Sequence, residues 1–243
     1  NARLVILALV ANFVLVPILA VAITLVLPLD DSVRIGLILL STAAGAPFLP
    51  KLAEAAKGNT AFAVGLMVLL MVITIIYLPI VLPLLLGDVD VNPWEIARSL
   101  IVMMLIPLAI GLFIKARYEE AAAKIQPTFG MASNIALLAL LVLGLVLNFS
   151  SMIALIGSLG ILAGIIFIVI ALVIGYLLGG SDSGIRSVVG LGTAQRNISA
   201  ALVVAAQNFD SDVITYLMVM ALIGLVILMP AAGELGKRAQ QPV

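Results

Sequence analysis

Three consecutive polar residues, Gln195, Arg196 and Asn197, lie inside an otherwise apolar segment of this chain. A guanidinium at membrane depth costs roughly 2.5 to 3.5 kcal/mol on insertion scales, so it faces a cavity, a partner or a substrate and not lipid. Gly190 and Gly192 precede the triplet and predict an interrupted helix. Unwound backbone is tolerated in a membrane only where it is buried in protein or lines a solvated site.

A second stretch, residues 45–59, repeats this design with the sequence GAPFLPKLAEAAKGN. Gly45, Pro47 and Pro50 break a hydrophobic segment, and Lys51 follows at once. Interrupted hydrophobic segments in comparable settings indicate the binding site of a transporter. The two stretches therefore predict one site, built where two broken helices meet.

The two cations at these breaks favour an anionic ligand. No acidic residue lies within one helical turn of Arg196, so the sequence predicts an unpaired guanidinium beside half-helix N-termini, which are electropositive. Arg holds a carboxylate or sulfonate with two parallel hydrogen bonds. A purely structural pairing stays open for both cations, and for Lys51 it is supported by Glu54 and Lys57, which are within reach along a helix.

The composition is that of a polytopic membrane protein. Of the 243 residues, 64% are hydrophobic and only 10% are charged, and there is no Cys or His. Thiolate chemistry and the usual zinc ligands are therefore excluded, and no metal site or cofactor is predicted. Net charge is zero and the basic residues form no dense cluster, so nucleic acid is not an expected partner. The expected partners are the lipid bilayer and a small molecule, and the oligomeric state stays open.

An enzyme is disfavoured by the same composition. Ser41, Thr42, Thr193 and Ser199 are available as nucleophiles, but without His or Cys the activating base would have to be Lys51 or a carboxylate. A membrane-embedded hydrolase using Ser and Lys therefore stays a distant alternative. A receptor-like or regulatory membrane module that does not transport is a nearer one.

Hydrophobic windows long enough to cross about 30 Å of hydrocarbon predict an all-α fold with about eight transmembrane helices. The windows are 3–28, 33–57, 59–87, 94–116, 128–149, 151–179, 184–208 and 211–236. The polar segment 115–126 is expected to form a short surface helix between two halves of the structure. Asn12 lies within the first window, where it either bonds a neighbouring helix or lines the site.

The distribution of Lys and Arg predicts the orientation. When loops are assigned to alternating sides, eight of these residues fall on the side of Asn1 and two on the other, while Lys51 and Arg196 are assigned to the membrane interior. The positive-inside rule then places both chain ends in the cytoplasm. The expected location is the cell membrane, either the plasma membrane or an inner membrane.

The run AAGAPFLPKLAEAAKGNTAFAVGL and the later run VVGLGTAQRNISAALVVAAQNF resemble the two crossing broken helices of the bile acid:sodium symporter family. The resemblance covers the whole chain and implies ten helices in two inverted five-helix repeats, divided into a core and a panel domain. It implies that this chain starts at the family's third helix and lacks two leading helices. Residues 1–92 and 150–243 would form the two parts of the core, and residues 93–149 the panel helices.

The chain departs from the family at the positions that hold sodium. By the resemblance, an acidic residue and a Gln of the second broken helix fall on Gly192 and Arg196, and a Ser-Asn pair of the first falls on Leu49 and Pro50. Hydroxyl residues of the next helix fall near Met67, Val68 and Met71, and a Gln of the family's third helix falls on Asn12. Most of the oxygen ligands are thus absent. We expect Lys51 and Arg196 to stand as two tethered cations in place of two sodium ions.

The sequence therefore predicts a secondary transporter of a small organic anion that works by alternating access, with doubtful sodium coupling. The substrate should lie between core and panel. The predicted substrate-binding or crossing region consists of Asn12, Gly45, Pro50, Lys51, Gln195, Arg196 and Asn197. If a proton is coupled instead, Glu54 is the carboxylate expected to be buried and to titrate.

Overall fold

A computed structural model describes residues 2–87, 92–147, 149–150, 153, 155 and 158–239, without the side chains of 137, 140, 141, 144, 145 and 147 in one long helix. These residues contain helices and no β-strand. The helices long and apolar enough to span a membrane are Ala2–Val26, Thr60–Leu86, Pro93–Arg117, Gly160–Leu178, Ser183–Asn208 and Ser211–Arg238. The prediction of an all-α polytopic membrane protein is confirmed.

The first span is a helix with one widened turn. It consists of α1 (Ala2–Val10), a π-helical segment π1 (Ala11–Leu15) and α2 (Val16–Val26). The span Pro93–Arg117 has the same construction, with α6 (Pro93–Leu100), π2 (Ile101–Leu105) and α7 (Ile106–Arg117). Such π segments occur frequently at functional sites.

The second predicted window, 33–57, is two short helices. They are α3 (Asp31–Thr42) and α4 (Leu49–Ala55), separated by the unwound residues 43–48. Gly45 has a φ of 80°, which a residue with a Cβ rarely adopts. Pro50 lies in the first turn of α4, where its missing N–H costs no intrahelical bond. The break was therefore predicted from the correct residues.

The long helix α5 (Thr60–Leu86) follows, beginning at the cap Asn59, whose side chain accepts a hydrogen bond from the Phe62 backbone N–H at 2.9 Å. After α7 comes α8 (Glu119–Leu147). The segment 115–126 was expected to be a separate surface helix. Instead, its residues from Glu119 onward belong to the same helix as most of the predicted window 128–149. Pro127 lies within it, at a position where the sequence suggested a boundary.

The last part of the chain consists of α9 (Gly160–Leu178), α10 (Ser183–Ala194), α11 (Ile198–Asn208) and α12 (Ser211–Arg238). The predicted window 151–179 starts too early, because the chain bends and turns at residues 158–159; parts of residues 148–157 lie outside the described residues. A Cβ at Gly175 would lie 2.5 Å from the Thr193 hydroxyl oxygen, and one at Gly179 would lie 2.6 Å from Arg186 Cα. These small residues thus let α9 approach α10 closely.

Candidate functional site

The two unwound segments contact each other directly. The backbone N–H of Asn197 donates a hydrogen bond to the Ala43 carbonyl at 2.9 Å, and its side-chain amide donates to the Gly45 carbonyl at 3.1 Å. The Thr74 hydroxyl of α5 lies 3.1 Å from both the N–H and the carbonyl of Ala44. The broken backbone is therefore satisfied by protein groups, as unwound backbone within a membrane requires.

Arg196 occupies the centre of this crossing and is only 4% exposed. Its Nε donates to the Leu40 carbonyl at 3.0 Å and its Nη2 to the Ser41 carbonyl at 2.7 Å. Its Nη1 donates to the Asn12 side-chain oxygen at 2.8 Å and to the Thr193 carbonyl at 3.2 Å. Four of the five guanidinium N–H groups are thus directed at protein oxygens.

The environment of Arg196 differs from the predicted one. The sequence suggested an unpaired guanidinium beside helix N-termini, but Leu40 and Ser41 belong to the last turn of α3, and Thr193 to the last turn of α10. Helix C-termini carry a partial negative charge, so these carbonyls compensate the cation. The partners of Arg196 were not predicted because every residue type carries a backbone carbonyl, so the sequence does not show which carbonyls face the guanidinium.

Asn12 connects the crossing to the first span. It is fully buried, lies in π1, and donates to the Ala8 carbonyl at 2.9 Å and the Thr193 hydroxyl at 3.2 Å while it accepts from Arg196. Tyr77 of α5, which sequence reasoning missed, donates its hydroxyl to the Phe13 carbonyl of π1 at 2.6 Å. The expected bond to a neighbouring helix is present in these contacts, and the alternative that Asn12 lines the substrate site stays a prediction.

Asn197 is the cap of α11 and is fully buried. Its side-chain oxygen accepts from the Ala200 N–H at 3.0 Å, and its side-chain nitrogen lies 3.5 Å from the sulfur of Met104 in π2. Met104 thus reaches the crossing from the span Pro93–Arg117. Gln195 ends α10 and is half-buried.

Gln195 and Arg196 line a small cavity of about 20 Å³ with apolar side chains of α9 and α12. That volume holds about one water molecule. The cavity is therefore too small for an organic substrate.

One of the positions that the resemblance assigns to sodium is filled with hydrocarbon. A Cβ at Gly192 would lie 2.9 Å from Cδ2 of Leu49 and 3.6 Å from Cδ2 of Leu66. Leu49 and Leu66 are buried and carry no oxygen. Sodium requires several oxygen ligands, so these side chains do not fit it.

Lys51 is not among the side chains that meet at the crossing, which corrects its expected place beside Arg196. Its side chain is exposed on α4, and Nζ donates to the Asn134 side-chain oxygen of α8 at 3.0 Å. The ammonium also lies 5.7 Å from the centre of the Phe48 ring. Glu54 is exposed too, so the expectation of a buried carboxylate was wrong. Pro50 is half-buried.

The described residues contain no group of three or more His, Cys, Asp or Glu side chains that could hold a metal ion. What they do contain is a polar crossing of two broken helices inside an apolar helical bundle. This combination defines a multi-pass membrane protein of the transporter class.

A sequence model described as "Sodium Bile acid symporter family" matches residues 1–155, which is more than half of the 243 residues. The chain therefore belongs to the sodium bile acid symporter family and is a membrane transporter of that type. A search of curated proteins gave no match. The matched range contains Asn12 and the first broken helix, and Arg196 lies beyond it.

Proposed function

We propose that this protein carries a small organic anion across the cell membrane by alternating access, without using a sodium gradient. In this proposal residues 1–92 and 150–243 form the core, residues 93–149 form the panel, and the two move relative to each other. Both chain ends are placed in the cytoplasm by the distribution of Lys and Arg. The observation that carries the proposal is the contact set of Arg196.

A cation at the crossing stabilises the meeting of two helix C-termini. In transporters with broken helices, unwound carbonyls and half-helix C-terminal ends coordinate sodium. Here the carbonyls of Leu40, Ser41 and Thr193 accept hydrogen bonds from Arg196 instead. The guanidinium supplies the positive charge permanently, so these oxygens need no dissolved ion.

The other sodium position supports the same proposal in a different way. Leu49 and Leu66 pack where a side chain at Gly192 would extend, so hydrocarbon replaces both ion and ligands. The expectation of two tethered cations is thereby reduced to one, Arg196. Lys51 does not replace a sodium ion in this proposal.

The proposal is tested by flux into proteoliposomes loaded with identical buffer, with taurocholate as the probe because the family name specifies bile acids. Uptake driven by the taurocholate gradient should be the same with an inward sodium gradient and with choline in place of sodium. Liposomes without protein provide the background. Loss of uptake in choline would disprove sodium independence, and stabilisation by taurocholate without any flux would favour the receptor-like alternative.

A further inference from the structure

Lys51 joins two parts of the molecule that are far apart in sequence. Its partner Asn134 is 83 residues away, on a helix that packs mainly against α7 and α12. Both side chains are exposed, so the hydrogen bond crosses an open space between α4 and α8. A change in this bond would therefore alter how α8 is held against the first broken helix.

The hydrogen bond from Lys51 to its present partner is weaker than one to an anion would be. Asn134 offers a neutral amide oxygen, and the Phe48 ring lies near the roughly 6 Å limit for a cation–π contact. Among the described residues no carboxylate lies within ion-pair distance of Lys51. The ion pairs found there include Arg34–Asp31 and Arg238–Glu234. A charge-assisted hydrogen bond to an anion is roughly twice as strong as a neutral one. An incoming anion would therefore compete successfully with the amide.

Space for a ligand adjoins the same amide. Asn134 lies on an open face of α8 that also carries Gln126, Pro127, Met131 and Ile135. Ligand sites usually combine apolar surface with a few polar groups. Gln126 and Asn134 are eight residues apart, or about 12 Å along a helix, with apolar side chains between them.

Arg196 cannot bind an anionic headgroup in this arrangement. Two parallel N–H groups are needed for a bidentate carboxylate, whereas four of its five N–H groups are already engaged. A cation other than Arg196 must therefore bind the anionic group of the substrate. Lys51 is exposed and its ammonium lies against Asn134, on the open face of α8.

We propose that the Lys51 ammonium binds the anionic headgroup of the substrate and that Asn134 is the group this headgroup displaces. The inference rests on the proposed anion transport and adds to it the headgroup residue and a release step. When the ammonium turns to the substrate, its hydrogen bond to α8 is lost. Substrate occupancy thereby frees α8 from the first broken helix, which links binding to the movement that alternating access requires.

The test measures taurocholate binding to the purified chain by thermal stabilisation, together with sodium-free uptake. Lys51→Met should weaken binding by about tenfold or more, since an ionic hydrogen bond contributes about 1.5 kcal/mol or more, and Lys51→Arg should retain most of it. Lys57→Met, which neutralises an exposed cation near the end of α4, is the control and should leave affinity unchanged.

Asn134 separates this inference from a general charge effect. Asn134→Ala removes the competing amide and should tighten binding by about two- to tenfold. Asn134→Asp places a carboxylate against Lys51 and should weaken binding by about tenfold or more. Wild-type affinity in Lys51→Met, or no change in both Asn134 variants, would overturn the inference while leaving the transport proposal in place. Failure of the wild-type chain both to bind and to carry taurocholate would overturn both.

The release of α8 from the first broken helix can be measured separately. The chain contains no cysteine, so introduced thiols can be labelled selectively. Nitroxide labels at Glu54→Cys on α4 and Leu138→Cys on α8 report the separation of these helices by pulsed electron paramagnetic resonance. Taurocholate should lengthen or broaden the distance distribution, and Lys51→Met should show the longer distances without ligand. An unchanged distribution in both experiments would disprove the release.

Discussion

Replacement of Arg196 by Gln offers the most direct measure of what the guanidinium contributes. The side chain donates four hydrogen bonds to buried oxygens, and a Gln amide can donate at most two. Hydrogen bonds from a charged group contribute about 1.5 to 3 kcal/mol each, so the loss of two corresponds to about 3 to 6 kcal/mol.

A water molecule can recover part of this loss. The adjoining cavity of about 20 Å³ is large enough to admit one water, which could donate to a carbonyl that Arg196 no longer reaches. We therefore expect Arg196→Gln to destabilise the protein by about 3 kcal/mol. At about 2–4 °C per kcal/mol for a chain of this size, the unfolding temperature should fall by roughly 6–12 °C.

The assay is thermal unfolding of purified protein, followed through the fluorescence of Trp94, the single tryptophan of the chain. Arg238→Gln serves as the matched control, because Arg238 forms an exposed ion pair with Glu234 at 3.2 Å that contributes no more than about 1 kcal/mol. If Arg196→Gln unfolds at the same temperature as this control, the guanidinium does not hold the crossing together and the reasoning is refuted.

Three further substitutions test neighbouring parts of the site by the same unfolding measurement. Asn12→Leu should lower the free energy of unfolding by about 2–4 kcal/mol, because Arg196 loses a hydrogen-bond acceptor and the hydrogen bonds donated by the Asn12 amide are lost. A decrease of less than about 1 kcal/mol would contradict the contacts. Gly45→Ala should impair folding, since its φ of 80° is unfavourable for Ala and the new Cβ would overlap the Met71 backbone nitrogen, whereas Gly65→Ala, with open space around it, should be tolerated. Lys57→Gly should stabilise by up to about 1 kcal/mol, because Lys57 has a φ of 50° that Gly adopts without strain; a loss of stability would show that the Lys side chain makes a stabilising contribution.

The architecture of the crossing could be predicted because it is encoded in residue types with strong local preferences. Gly45 and Pro50 mark the first break, and the polar run Gln195–Asn197 marks the second. Asn12 was recognisable as a lone amide in an apolar span. These residues are found at the crossing or immediately beside it, so local conformational preference and the cost of polar groups in lipid were sufficient.

The partners of the two cations could not be predicted in the same way. Arg196 bonds to carbonyls at residues 40 and 41, more than 150 residues away, and every residue type carries such a carbonyl. Lys51 was grouped with Arg196 because both follow a helix break, yet it points out of the crossing to an amide on α8. Which face of a seven-residue helix is buried depends on its neighbours in space, and the sequence of α4 alone does not specify them.

A cation that is covalently attached cannot be released on the far side of the membrane. In the proposed mechanism each cycle therefore moves the negative charge of the anion with no accompanying sodium, and the membrane voltage acts on it at about 2.3 kcal/mol per charge per 100 mV. In a cell with a negative interior this voltage drives anions outward. The buried guanidinium would thus make export the favoured direction, with accumulation inside the cell requiring a large external excess or a coupled proton.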